Sequence, residues 1–205
     1  MRVQIFAVPY DSGRRDFRMG RGPGRLFERG LDTTWTRHAH DVATEWIDVP
    51  AAEASDVRSS FDLYSALARR VGAARADQRC PFVVAGTCGV TIAGVAGLGD
   101  VRPAVVWFDA HGDFNTPETS PSGFLDGMAL AILTGRCWRT LATRIPGFAV
   151  VPETRVALVG AHHLDPQEAD ALAASGVLRI GANLSGLDRV FAEATPAWLH
   201  VDLDV

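Results

Sequence analysis

Short, wholly apolar runs that alternate with helix-like stretches limit the folds open to this chain more than any other feature. Val3–Val8, Phe82–Ala85, Ala104–Asp109, Arg155–Gly160, Val177–Ile180 and Trp198–Val205 read as strands, with Val42–Val49 as a further one. Between them, Ser55–Ala76 carries Phe61, Tyr64, Leu67 and Val71 at helical spacing, and Ser55-Asp56 offers a start signal. Val90–Leu98, Leu125–Leu133, Pro166–Ala174 and Leu184–Ala194 also read as helices. A strand with one wet face alternates apolar and polar residues, whereas a continuous apolar run is buried on both faces. The pattern therefore predicts an α/β fold, a parallel sheet covered by helices on each side. In such folds ligands collect at the carboxyl ends of the strands. That rule brings Gly86–Gly89, Asp109–Gly123, Gly160–Asp165 and Asp202–Asp204 toward one rim. Asp11-Ser12-Gly13 breaks the first strand, and a Gly/Arg-rich loop is expected from there through Gly30.

Composition agrees with one sizeable domain over residues 1–205, since 47% of the residues are apolar and 21% charged. The formal net charge of −4, with no block of Lys/Arg, speaks against a nucleic-acid surface. No run approaches the roughly 20 apolar residues of a membrane helix. The N-terminal MRVQIFAVPYDSG leads from a short apolar run into a turn, so it reads as a first strand and not a signal peptide. The three cysteines, Cys80, Cys88 and Cys137, are odd in number and form no CxxC pair, which fits a reducing cytoplasm. Gly86–Gly99 lacks the Gly-Lys-Ser/Thr of a phosphate loop, and its small residues are expected to allow close helix–sheet packing. His162-His163 read as loop histidines, and Arg14, Arg15, Arg18, Arg21 and Arg25 as a solvated basic loop.

Two segments carry ionisable groups where apolar strands end. In VVWFDAHGDF, Asp109, His111 and Asp113 stand two residues apart, and extended backbone puts residues at that spacing on one face. Charge at the end of a buried strand needs a partner or a metal. An Asp/His/Asp set suits Mn²⁺, with Zn²⁺, Co²⁺ or Ni²⁺ as alternatives; the competing reading is a solvated loop. In LHVDLDV, Asp202 and Asp204 share a face and interrupt the apolar series Leu199, Val201, Leu203 and Val205. Two such carboxylates repel unless a cation lies between them; an exposed edge strand is the alternative. Together the segments offer four carboxylates and an imidazole, enough for two bridged metal ions.

These segments resemble a known family. WFDAHGDFNTPETSPSGFLDGM looks like the signature of the arginase/agmatinase ureohydrolases, a DAHxD segment followed by a Thr/Ser-rich specificity loop. HVDLDV looks like the opening of its second signature. PFVVAGTCGVTIAGVAGL stands in place of the family's Gly-Gly-Asp-His-Ser segment, and VALVGAHHLDPQE is similar to its Gly-Leu-Arg-x-x-Asp-Pro-x-Glu segment. The resemblance implies a three-layer αβα sandwich around a mainly parallel sheet and a centre of two divalent ions, usually Mn. It implies a metal-bridging hydroxide that attacks a guanidinium carbon to release urea. Guanidinium stays protonated and is a poor electrophile, so a strong nucleophile is needed. By this matching Asp109 and Asp202 bridge both metals, His111 and Asp204 complete one site, and Asp113 binds the other and relays a proton. Asn115, Ser120 and Ser122 fall where arginase-like members hold a substrate α-carboxylate, and Asp165 and Glu168 where they hold the α-amino end. An arginine-like guanidino substrate and a homo-oligomer are implied.

The chain departs from the pattern at two positions. Cys88 stands where the family has a metal-binding histidine, and Thr87 replaces the preceding aspartate. A thiolate ligates Zn²⁺ readily, but Mn²⁺ prefers O and N donors, so one metal site is expected to be weak, empty or differently selective; the alternative is that Cys88 is a small buried residue at a strand end. Asp126 stands where the family has a proton-shuttling histidine. It reads either as a catalytic acid with a raised pKa or as an ordinary acid at a helix N-terminus. The chain also stops before the family's final segment, so the arginase-like domain is expected to be incomplete at its C-terminus. Two rival readings follow: a degenerate member that binds metal or ligand without turnover, and a formimino or amide hydrolase on the same fold.

Overall fold

The structure, a computed structural model, describes residues 1–38, 41–49, 55–99, 103–181, 183–191 and 196–204. It divides into two compact units, Met1–Gly99 with Arg144–Gly147, and Asp100–Thr143 with Phe148–Val205.

The first unit runs β1 (Arg2–Val8), β2 (Tyr10–Asp11), β3 (Arg14–Arg15), α1 (Gly22–Glu28), α2 (Leu31–Arg37), β4 (Asp41–Trp46), α3 (Asp56–Ala76), β5 (Cys80–Ala85) and α4 (Val90–Gly97). Its sheet has the order β4-β1-β5 with every pairing parallel. The central strand is β1, and Val3, Ile5, Phe6, Ala7 and Val8 are all buried, which is why its sequence does not alternate. The Ser55 hydroxyl caps α3 by accepting the Arg58 N–H at 3.3 Å. Its buried face carries the expected Phe61, Tyr64, Leu67 and Val71. The small residues of α4 serve close helix–helix packing: a methyl on Gly97 would lie 2.5 Å from Val71 Cβ of α3.

The expected Gly/Arg-rich loop is instead ordered structure. A β2–β3 hairpin leads to a 3-10 turn at Arg18–Arg21 and then to α1 and α2. Gly20, Gly22 and Gly24 hide α1 from a propensity reading, and the threonines of α2 are weak helix formers. Pro23 at the first turn of α1 is harmless there, and Phe27, Leu31 and Trp35 pack onto Val3, Ile5 and Val84. The arginines of this region are paired at the surface, Arg14 with Asp56 and Arg15 with Asp48, both at 3.2 Å, and Arg25 with Glu28 at 2.6 Å.

The second unit runs β6 (Ala104–Phe108), α5 (Ala129–Leu133), α6 (Arg139–Ala142), β7 (Val156–Val159), α7 (Pro166–Ala173), β8 (Leu178–Ile180), α8 (Asp188–Phe191) and β9 (Ala197–Val201). Its sheet has the order β8-β7-β6-β9, again parallel throughout. Ala104, Val106, Ala157, Val159 and Ile180 form one buried face with Val190 of α8. Val105, Trp107 and Leu158 are buried as well.

Three expectations change here. The Leu125–Leu133 helix begins as a 3-10 turn, Asp126–Met128, before α5. The Leu184–Ala194 helix starts only at Asp188, because Leu184 sits at φ +56°, outside helical backbone; residues 192–194 lie outside the described residues. The last strand ends at Val201, and Val205 lies outside the described residues. Helix α6, a single turn of four residues, adds to the expected elements. No helix among the described residues is long and apolar enough to cross a membrane.

Candidate metal centre

Strand pairing positions the first two acids. The parallel register sets Phe108 beside Val201, so Asp109 and Asp202 follow the ends of neighbouring strands. Sheet-type hydrogen bonds continue one residue further, with Asp109 N–H donating to Val159 O at 3.1 Å and Asp202 N–H to Phe108 O at 2.8 Å. Beyond these points the backbone turns. The His111 N–H donates to Asp109 Oδ1 at 2.8 Å, and the Asp204 N–H to Asp202 Oδ1 at 3.1 Å, two Asx turns of the same kind. Asp113 has φ +48°. The expectation that each motif lines one face of extended backbone is therefore corrected, since turns gather these side chains.

The result is a compact donor set. His111 Nδ1 lies 3.3 Å from Asp109 Oδ1 and 3.2 Å from Asp204 Oδ2, while Asp204 Oδ1 accepts the Ala110 N–H at 3.3 Å. One donor atom from each of Asp109, His111 and Asp204 fits within 4.8 Å. Asp109, His200 and Asp202 bring their donor atoms together within the same limit. Asp109 is shared by both groups and is 1% exposed. Burial pushes its carboxyl up, but the facing His200 ring, the His111 N–H and the Trp107 ring N–H outweigh it and hold the group below the ordinary carboxylate range. Trp107 Nε1 donates to Asp109 Oδ2 at 3.2 Å. Asp113 belongs to neither group; it is buried, and its carbonyl accepts the Leu130 and Ala131 N–H groups at 2.9 and 3.1 Å. Cys88, half-buried, lies in the other unit, between β5 and α4.

The loop after the DAHGD turn is tied to α7. The Glu168 carboxylate, 3% exposed, accepts the Phe114 N–H at 2.8 Å and the Asp165 N–H at 3.4 Å, the latter one half of a capping box. Burial raises the Glu168 pKa, and nearby Asp165 adds to this against the N–H donors. Gly112 is required where it stands, because a methyl there would meet Glu168 Cδ at 2.7 Å. Asn115 is buried, with Nδ2 donating to Asp165 Oδ2 at 3.0 Å and Oδ1 accepting from Thr119 Oγ1 at 2.9 Å. Asn115, Asp165 and Glu168 are thus brought together. Ser120 is half-buried and Ser122 exposed, and each hydroxyl accepts a backbone N–H, from Gly123 at 3.0 Å and Phe124 at 3.2 Å. Asp126 sits in the 3-10 turn that precedes α5. His162 and His163 are loop histidines as expected, and their N–H groups both donate to Ala110 O at 2.9 Å, pinning their loop to the DAHGD turn.

His200 was not foreseen. Leu199 and Val201, part of the apolar series of the last strand, are exposed, and Trp198 and His200 are buried instead. The signal was present in parity: Trp198, His200, Asp202 and Asp204 share the even positions, and a tryptophan marks the covered side.

The Arginase family model matches residues 1–205. An arginase from Bacillus caldovelox is 32% identical over 190 residues, which cover 85% of this chain and 62% of that protein. An N(omega)-hydroxy-L-arginine amidinohydrolase from Streptomyces lavendulae is 35% identical over 127 residues, covering 60% of this chain and 44% of that one. The chain thus spans less than two thirds of the length of either relative. The crystal structure of an arginase from Bacillus cereus superposes with a TM-score of 0.88 at 25% identity, covering 100% of this chain and 75% of that chain, and this likeness carries the arginase-like αβα sandwich class. Matched from its first residue to its last, the chain belongs to the Arginase family.

Proposed function

We propose that this chain forms the dinuclear metal centre of a ureohydrolase that splits an arginine-like guanidino compound into urea and an amine. The observation that carries the reading is the convergence of Asp109, His111 and Asp204 where β6 and β9 end. Carboxylates and imidazole suit Mn²⁺ and also accommodate Zn²⁺, Co²⁺ or Ni²⁺. Two divalent ions held there would supply an activated water as nucleophile at neutral pH. In this reading Asp109, His111, Asp113, Asp202 and Asp204 would hold the ions, and Cys88 is the remaining residue assigned to them.

The remaining roles belong to the chain's own side chains. Asp113 passes a proton to the leaving amine, and Asp126 is the acid assigned near the mouth. Asn115, Ser120 and Ser122 hold the α-carboxylate of the substrate, and Asp165 with Glu168 its α-amino end. The bonds from Asn115 to Asp165 and from Phe114 to Glu168 support this, because they keep the two halves of that subsite in one frame. The names of the relatives, arginase and N(omega)-hydroxy-L-arginine amidinohydrolase, point to guanidino acids. A homo-oligomer in the cytoplasm completes the reading.

The test measures bound metal and urea release from arginine, N(omega)-hydroxyarginine, agmatine and guanidine, with Mn²⁺, Co²⁺, Ni²⁺ and Zn²⁺ supplied in turn. Urea from a guanidino acid with metal bound is expected. Absence of both bound metal and urea under every condition sinks the proposal. Bound metal without urea selects the rival reading of a metal-binding member without turnover, which Cys88 and Asp126 favour; a formimino or amide substrate is then assayed. For Cys88, the Cys88→His variant is expected to tighten Mn²⁺ binding, and unchanged metal binding in Cys88→Ala removes the thiol from the ligand set.

A further inference from the structure

His200 is a buried imidazole beside the bridging-type carboxylate Asp109, and none of the assigned roles uses it. Its ring stacks on Trp107 with centroids 3.9 Å apart and planes 22° from parallel. That stacking fixes the ring plane, and the Nε2 atom then faces Asp109 Oδ2 at 3.7 Å. Two donors that share one ion sit about 2.1 Å from it and so lie at most about 4.2 Å apart, a range that includes the observed separation. Asp202, two residues along the same chain direction, brings a carboxylate oxygen to within 4.8 Å of the donors on Asp109 and His200. Trp107 serves both neighbours, stacking on the imidazole and donating Nε1–H to Asp109 Oδ2 at 3.2 Å.

We propose that His200 is a nitrogen ligand of the metal centre, binding a divalent ion through Nε2 together with Asp109 and Asp202. The inference rests on the proposed dinuclear centre and adds a second imidazole to it besides His111. An extra neutral nitrogen donor shifts the preference of that ion position from Mn²⁺ toward Zn²⁺, Co²⁺ or Ni²⁺. Trp107 is then the residue that orients the ligand, as outer partners of metal-bound histidines do.

The protein loaded with Co²⁺ is examined by proton NMR, in which each coordinated imidazole gives a strongly shifted, exchangeable ring N–H resonance. Two such resonances are expected, one lost in His111→Ala and the other in His200→Phe. Phenylalanine keeps a ring against Trp107 but has no donor atom, and His200→Asn provides a smaller variant should the phenylalanine pack poorly. Both His200 variants are expected to bind Zn²⁺ at least about 10-fold more weakly by calorimetry. Their metal-free melting temperatures report folding separately. If the wild-type protein binds metal with a single shifted resonance, or the His200 variants bind as tightly as wild type, the ligand role is overturned while the dinuclear centre stands. If the wild-type protein binds no metal, both fall.

Discussion

Gly112 is the position where one added methyl group reports most directly on how the DAHGD turn is held. In Gly112→Ala the new Cβ would lie 2.7 Å from Glu168 Cδ and Oε1 and 2.9 Å from Leu164 Cδ2. Ordinary contact begins near 3.4 Å, so the Glu168 carboxylate must retreat by several tenths of an ångström from a site where it is 3% exposed. Overpacking of this kind costs about 1–3 kcal/mol. The retreat also stretches the 2.8 Å bond from the Phe114 N–H, and a weakened bond to a charged acceptor adds about 1 kcal/mol. The sum is about 2–4 kcal/mol, which for a chain of this size lowers the melting temperature by roughly 4–16 °C. Thermal and urea unfolding of the metal-free protein measure it. The clash predicts non-additivity: in a Glu168→Ala background the Gly112→Ala change should cost at least about 1 kcal/mol less, because only the Leu164 contact remains. A Gly112→Ala protein as stable as wild type, or strict additivity in the double mutant, would refute this account of the turn.

Three further outcomes follow from the structure. Glu153 pairs with Arg136 at 2.7 Å and accepts the Gly176 N–H at 2.9 Å; burial opposes its ionisation, but these partners win and lower its pKa. A lowered folded pKa gives stability that is complete above the ordinary carboxylate value and lost as pH falls through the folded value. Glu153→Gln should therefore cost about 1 kcal/mol at pH 7, after allowance for partial exposure, and the gap from wild type should close as pH falls below the ordinary carboxylate range in urea titrations. Removing divalent metal with a chelator should lower the melting temperature, and restoring Mn²⁺ to about 100 times its dissociation constant should return about 2.7 kcal/mol; a melt indifferent to metal would contradict the centre. Burial pushes the Cys137 thiol up to about 12, whereas Cys80 is exposed, so at pH 8 a thiol reagent should label Cys80 in the native protein and Cys137 only after unfolding, as peptide mass mapping would show.

Much of the site was legible before the fold was known, and particular residues show why. Asp109 and Asp202 follow directly on apolar strands, and a carboxylate at the end of a buried parallel strand reaches the rim where ligands bind, whatever the rest of the chain does. Strands β1, β6 and β7 were readable because continuous apolar runs leave few alternatives to two-sided burial. Helix α3 was readable because its cap and its spacing agree. Helices α1 and α2 were not, because the glycines of α1 and the threonines of α2 argue against helix and only the packing of Phe27, Leu31 and Trp35 outweighs that local preference.

What the sequence alone determined was the inventory of donors and their parity, since a period of two links Trp198, His200, Asp202 and Asp204 regardless of context. Which of the two parities turned inward was decided by the tertiary structure, where β9 buries Trp198 and His200 and leaves Leu199 and Val201 exposed. The Asx turns of Asp109 and Asp202, and the stacking of His200 on Trp107, likewise depend on the β6–β9 register. Local periodicity relates residues within one strand, but the face that is covered is set by what packs against it, and that contact comes from residues far away in the chain.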